Sequence, residues 1–231
     1  MRAVPVVLAL IACGEPDVPR QGVGYRVGEG PSSGERGTIK ISEVMWSGSV
    51  TDDGDWDPTD VFIELRNESN RPVNVSGWQL VLEGPTTATW VIPDQDLVLQ
   101  VDDHVFFAHQ STGCFPEPDL VIPEMAFTYG DPFEVTLLDA DDRLVEPVGD
   151  KDAAPFSGGY DGTLSRSMER IELMFGGEGT FPHTWHFYAD GEVDVPNNDR
   201  VAEGCRVRTK ASPGRPNSPD YSGAFASGSF E

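Results

Sequence analysis

The sequence predicts an all-β sandwich, and three observations carry that reading. Short apolar runs recur, separated by turn residues roughly every 8–12 positions. Several of these runs alternate apolar and polar residues with the period of two that belongs to a strand with one face buried. No window of roughly ten or more residues carries the helical period of apolar positions.

The elements follow in order. The first strand is expected at 39–46 (IKISEVMW), where regular alternation puts Ile39, Ile41 and Glu43 on one face and Lys40, Ser42 and Val44 on the other. The second spans 61–66 (VFIELR), and Asn67 through Asn70 form a polar turn after it. A longer run, 72–83 (PVNVSGWQLVLE), is divided by a bend at Ser76 and Gly77, where glycine allows close backbone approach. Trp78 then points into the sandwich, and truncating it to Ala is expected to cost about 3–5 kcal/mol. Further strands are expected at 88–92, 97–101, 104–109, 133–139, 143–148, 166–173 and 184–188. A single helical turn is expected within 117–129, and no fixed-period repeat is present.

The first 36 residues read differently. Arg2 supplies a positive start, residues 3–12 (AVPVVLALIA) are apolar or small, and Cys13 and Gly14 follow. Ten such residues are too few to span a bilayer as a helix, which needs about 20; they fit the apolar region of an export signal. The run LIAC at 10–13 resembles the bacterial lipoprotein lipobox, which implies cleavage before Cys13 and acylation of its thiol. The competing reading is an apolar N-terminal strand with a buried cysteine. Residues 14–36 are rich in Gly, Pro, Ser and charge, and read as a flexible tether reaching about 25–30 Å. The expected organisation is a signal peptide at 1–12, a lipidated cysteine and tether at 13–36, one β-sandwich at 37–218 and a disordered tail at 219–231.

Charge narrows the partners. The 231 residues hold 39 acidic and 16 basic side chains, for a formal net charge of −23. Such a field repels phosphate backbones and disfavours nucleic acid. The densest basic stretch, Arg206, Arg208, Lys210 and Arg215, is interleaved with small residues and reads as a solvated terminal strand. If Cys13 carries lipid, Cys114 and Cys205 remain, and an even pair in an exported chain reads as a disulfide, against the alternative of two separate buried thiols.

Chemistry-bearing residues are present without an assembled pattern. His183 and His186 stand three apart, so on an extended strand they face opposite ways and cannot share a metal; His104 and His109 bring no ligand spacing either. No nucleophile elbow, phosphate loop or metalloprotease helix is found. The best candidate site is the acidic loop 52–60 (DDGDWDPTD). Asp53, Asp55, Asp57 and Glu64 match the first, third, fifth and twelfth positions of an EF-hand count, but Pro58 takes the place of its turn glycine. An irregular calcium loop built from Asp53, Asp55, Asp57 and Asp60 therefore stands against a solvated acidic loop. Glu64 reads as a carboxylate that is hydrogen-bonded to backbone or exposed, rather than catalytic. A second acidic group, Asp139, Asp141 and Asp142, reads as a hairpin turn.

The order of the blocks IKISEV (39–44), FIELRNESNRPVNVSGWQL (62–80), FTYGDPFEVTLLDADDRLVEPV (127–148), GTLSRSMERI (162–171) and ASPGRPNS (211–218) resembles the bacterial lamin-tail domain. The resemblance implies an immunoglobulin-like β-sandwich over residues 39–218 and brings no catalytic residues with it. Two departures stand out: Asp142 and Arg143 occupy a hairpin turn where the family usually has Gly, and 112–128 looks like an insertion.

Together these features lead us to expect a non-enzymatic protein anchored through lipid on Cys13, in the outer membrane of a Gram-negative-type envelope. Its sandwich would bind a protein or polysaccharide partner and need no cofactor. The alternatives are an envelope hydrolase or its accessory, and a calcium-dependent adhesion module.

Overall fold

The computed structural model describes residues 30–93, 96–171, 178–189 and 200–219. Ten strands, numbered in chain order, build two packed sheets. They are β1 (Ile39–Met45), β2 (Phe62–Asn67), β3 (Gln79–Glu83), β4 (Ala88–Val91), β5 (His104–Ala108), β6 (Leu120–Val121), β7 (Phe133–Leu138), β8 (Leu144–Asp150), β9 (Met168–Arg170) and β10 (Trp185–Phe187). One sheet has the order β6-β5-β2-β1-β9-β10 and the other β8-β7-β3-β4. Neighbouring strands run antiparallel except β6, which lies parallel to β5. The predicted sandwich is therefore the observed fold.

The inner faces of both sheets supply the main core. Ile41, Val44, Ile63, Leu65 and Phe107 from the larger sheet meet Leu80, Trp90, Val135, Leu137 and Val148 from the smaller one. Trp78 lies fully buried among them, as expected, and its Nε1 donates to the carbonyl of Ser32 at 2.9 Å.

Three details differ from the sequence reading. The alternation in β1 is broken by a bulge: Ile41 pairs with Leu65, Glu43 pairs with Glu64, and Ser42 is the extra residue. A bulge moves every later side chain to the other face. Val44 therefore joins Ile41 in the core, and Glu43 turns outward beside Glu64. The helical turn expected within 117–129 is absent; that segment holds β6 and turns, while 3-10 turns form at Pro182–Thr184 and Glu203–Cys205. The domain also starts before residue 37. Ser32 N donates to Asn74 O at 2.8 Å, Gly34 N donates to Asp139 Oδ2 at 2.8 Å, and Glu35 is buried against Arg71. Residues 30–36 thus seal the sandwich over Trp78 instead of belonging to a free tether.

The hairpin between β7 and β8 shows how an aspartate stands in for the family glycine. Asp142 holds φ 59°, a conformation that short polar side chains tolerate better than others. Buried Asp139 braces the turn by accepting from Asp141 N and Arg143 N, both at 2.9 Å. Desolvation works to raise its pKa, but these N–H groups, that of Gly34 and the Arg143 charge outweigh it and leave the carboxyl below its usual range.

The larger sheet is covered on its outer face as well. At one end, Met45, Phe62, Phe106 and Phe115 form a second apolar cluster with Val201 and the half-cystines Cys114 and Cys205. That disulfide is present, with Cα atoms 5.7 Å apart and a sequence separation of 91. It ties the 112–115 loop to the Glu203–Cys205 turn, and Ala202 N donates to Cys114 O at 2.8 Å beside it.

Candidate functional site

The acidic loop does not gather its carboxylates. Asp60 is fully buried and turned inward, where its Oδ2 accepts from Ser49 Oγ and Cys114 N, both at 2.6 Å. Desolvation raises its pKa against the effect of those donors. Asp57 folds back on its own turn and accepts from Thr59 N at 2.9 Å and Thr59 Oγ1 at 2.6 Å. Asp52 accepts from Val207 N at 2.9 Å, and Asp53 and Asp55 are exposed. Local backbone and hydroxyl donors outcompete a common centre, because they hold Asp57 and the Oδ2 of Asp60 at no cost in like-charge repulsion. Among the described residues no group of three or more His, Cys, Asp or Glu is placed to hold a metal ion. His183 sits in a 3-10 turn and stacks on Phe181, whereas His186 is buried in β10, so the two are separated although the segment is not wholly extended.

What this loop presents is an aromatic ring. Trp56 is 37% exposed and stacks on Tyr160 with centroids 4.8 Å apart and planes 16° from parallel. Tyr129, 45% exposed, meets Trp56 edge-on at 5.3 Å and stacks on Trp46 at 5.8 Å. The polar atoms of Trp46, Trp56 and Tyr129 are spent on backbone carbonyls. Trp56 Nε1 donates to Ser47 O and Trp46 Nε1 to Ser157 O, both at 2.9 Å, and Tyr129 Oη donates to Tyr160 O at 2.6 Å. Those three rings are therefore held in place, and Trp56 and Tyr129 stay partly open to solvent.

Gly48 makes this arrangement possible. It has φ +77°, and a Cβ there would lie 2.1 Å from Asp57 O. The close approach lets Ser49–Val50 pair with Trp56–Asp57 and fixes the tryptophan. In the sequence the carboxylates of 52–60 stand out and Trp56 does not, because its partners Tyr129 and Tyr160 lie far along the chain. The available signal was an aromatic residue in each of three loops rich in Asp and Gly.

A second constellation lies on the outer face of the larger sheet. Glu43 (β1), Glu64 (β2) and Glu169 (β9) are each fully buried, and Glu43 is the register partner of both others. Residues 211–218 cross above them. Ser212 N donates to Glu43 Oε1 at 2.9 Å, Gly214 N to Glu64 Oε2 at 2.6 Å and Ser218 N to Glu169 Oε2 at 3.1 Å. Glu64 also accepts from Ser42 Oγ at 2.6 Å and lies 2.9 Å from His104 Nδ1. Its expected hydrogen bond to backbone is present, inside a cluster that linear spacing did not reveal. Desolvation, then the charges of Glu169 and Glu64, raise the Glu43 pKa well above its ordinary value. Desolvation likewise pushes Glu169 up to about 7, against hydrogen bonds from Ser212 and Ser218.

This arrangement shows why the strand motifs and the closing segment occur together. The two glutamates of IKISEV and FIELRN are held by backbone donors of ASPGRPNS, and Asn217 Nδ2 reaches Ser42 O at 2.9 Å and Arg170 O at 2.8 Å. Cys13 lies outside the described residues.

No curated protein matches the chain. The family model of the Lamin Tail Domain matches residues 32–152, which carry β1 through β8 and the 30–36 segment's contacts on Trp78, while Glu169 and the 211–218 strap lie past the matched stretch. On this match over half the chain, and on the sandwich that it accompanies, the protein belongs to the lamin tail domain family.

Proposed function

We propose that this protein is a non-enzymatic, lipid-anchored envelope protein whose immunoglobulin-like domain binds a polysaccharide or protein partner through the Trp56, Tyr129 and Tyr160 surface. The supporting observation is that two half-exposed rings are fixed by backbone hydrogen bonds. Preordered aromatic surface loses little side-chain entropy on binding, and aromatic anchors dominate recognition surfaces. The exposed carboxylates of Asp53, Asp55 and Asp161 stand in the same loops and supply acceptors for hydroxyl or amide donors of the partner. The net charge of −23 favours neutral or cationic partners over anionic ones.

The anchor rests on the LIAC run ending at Cys13. Acylation with more than one chain gives stable membrane attachment, and Gly14 after the cysteine suits delivery to the outer membrane. Affinity capture from envelope fractions, run with neutral polysaccharides and with envelope proteins, tests the binding surface. The wild-type chain is expected to retain a partner that the Trp56→Ala and Tyr129→Ala variants release; equal retention by all three would overturn it. Cys13→Ser is expected to leave the membrane fraction.

A further inference from the structure

We infer that Glu43, Glu64 and Glu169, together with the 211–218 strap, form a proton-operated latch: a proton held among the carboxyls keeps the strap closed, and its loss loosens the strap. The geometry points to such a proton: the two buried carboxyls share one hydroxyl, that of Ser212, and the Ser167 hydroxyl is the further one beside Glu43. Ser212 Oγ lies 2.5 Å from Glu169 Oε1 and 3.2 Å from Glu43 Oε2. A hydroxyl has one hydrogen to donate. Were both carboxyls ionised, Ser212 could serve only one, and the other oxygen would face its lone pairs. A proton on Glu43 or Glu169, donated to Ser212 Oγ, satisfies both contacts.

The other hydroxyl near Glu169 is committed. Ser218 Oγ accepts from Ala189 N at 2.9 Å and donates to Glu169 Oε2. Glu64 has its own donors in Ser42, Gly214 and the His104 ring, so the shared proton belongs to the Glu43–Glu169 pair.

The groups facing the cluster set the direction of the response. From the flanking strands come His104, against Glu64, and His186, whose Nε2 lies 3.8 Å from Glu169 Oε2. On the strap Arg215 is the only basic residue. Of the other cations on this sheet, Lys40 and Arg170 turn to Glu146 instead, and Arg66 lies 3.8 Å from Asp102. Two adjacent buried carboxylates repel when both are ionised, and the strap is the element that can move away to let water in. Opening the strap returns the pair to water and to an ordinary carboxyl pKa. The closed state thus holds a proton that the open state releases above about pH 4.5. Closure weakens progressively as pH rises from there to about 7, where Glu169 titrates when closed.

Hydrogen exchange followed by mass spectrometry on the full chain tests this, read at the peptide containing Ser212, Gly214 and Ser218 and corrected for intrinsic rates. Protection is expected to fall at least about tenfold between pH 5 and pH 8. In Glu169→Gln, which mimics the protonated acid, the fall is expected to shrink to less than about twofold; Glu43→Gln provides the same readout should that variant fail to fold. A wild-type profile flat across this range would overturn the latch. So would a fall that persists in the glutamine variants but vanishes in His186→Gln or His104→Gln, which would assign the response to a histidine.

Discussion

Glu43 and Glu169 are register partners on adjacent strands, and the hydroxyl of Ser212 sits between their carboxyl oxygens. Two acids in that position bind protons more tightly folded than unfolded. Glu146 and Asp60 are shifted in the same direction, chiefly by burial. Each contributes stability that is complete below its unfolded pKa and is lost as pH rises through its folded value. The Glu169 contribution therefore disappears between its ordinary 4.5 and about 7. Asp57 and Asp139 are shifted down, so their contributions are lost as pH falls below the ordinary aspartate value of 3.8. Thermal melts are expected to show a maximum at about pH 4–5, with Tm falling towards pH 8 and towards pH 2. A Tm that climbs steadily from pH 5 to pH 8 would contradict this assignment.

Replacing Cys114 and Cys205 by Ser removes a bridge across a sequence separation of 91. The loss is expected to be about 2–5 kcal/mol. It will be felt first in the outer cluster, because Phe115 and Val201 pack beside the bridge. Denaturant melts with and without reductant measure it, and the reductant effect is expected to be absent in the double variant.

Arg170 holds Glu146 at 2.5 Å and lies over the Trp185 ring, while Glu146 also accepts from Ile41 N at 3.0 Å. Arg170→Met leaves a buried carboxylate with Lys40 as its remaining charged partner, 3.4 Å away. The expected cost is about 3–5 kcal/mol. Adding Glu146→Gln removes the stranded charge and is expected to recover part of that loss. Additive effects in the double-variant cycle would show that the pair is not coupled.

Gly48→Ala tests the seating of the aromatic surface. The new Cβ would collide with backbone atoms of Asp57 and Pro58 at 2.1 and 2.5 Å, in a conformation unfavourable for alanine. The expected cost is about 1–3 kcal/mol. The Trp56 loop must shift, so a red shift in tryptophan emission is expected alongside weaker partner retention. Unchanged emission and Tm would mean that the loop tolerates the side chain.

The sequence by itself determined the sandwich, because strand periodicity and turn residues are local signals. Expected and observed strands agree within a few residues at β1, β2, β5 and β7, and burial of Trp78 followed from its place after the Ser76–Gly77 bend. The Cys114–Cys205 bridge was legible from an even count once Cys13 was set aside. Only the tertiary structure decided which face Glu43 occupies, since one bulge residue at Ser42 reverses the alternation that the sequence displays. It likewise decided that Asp53, Asp55, Asp57 and Asp60 diverge, because donors from 49, 59 and 114 reach Asp57 and Asp60 before a common centre can form. The meeting of Trp56 with Tyr129 and Tyr160, and of three glutamates with a strap some 40 to 170 residues away, depends on long-range packing. No local pattern records such contacts, because the chain pays their loop-closure entropy only after the sheets have formed.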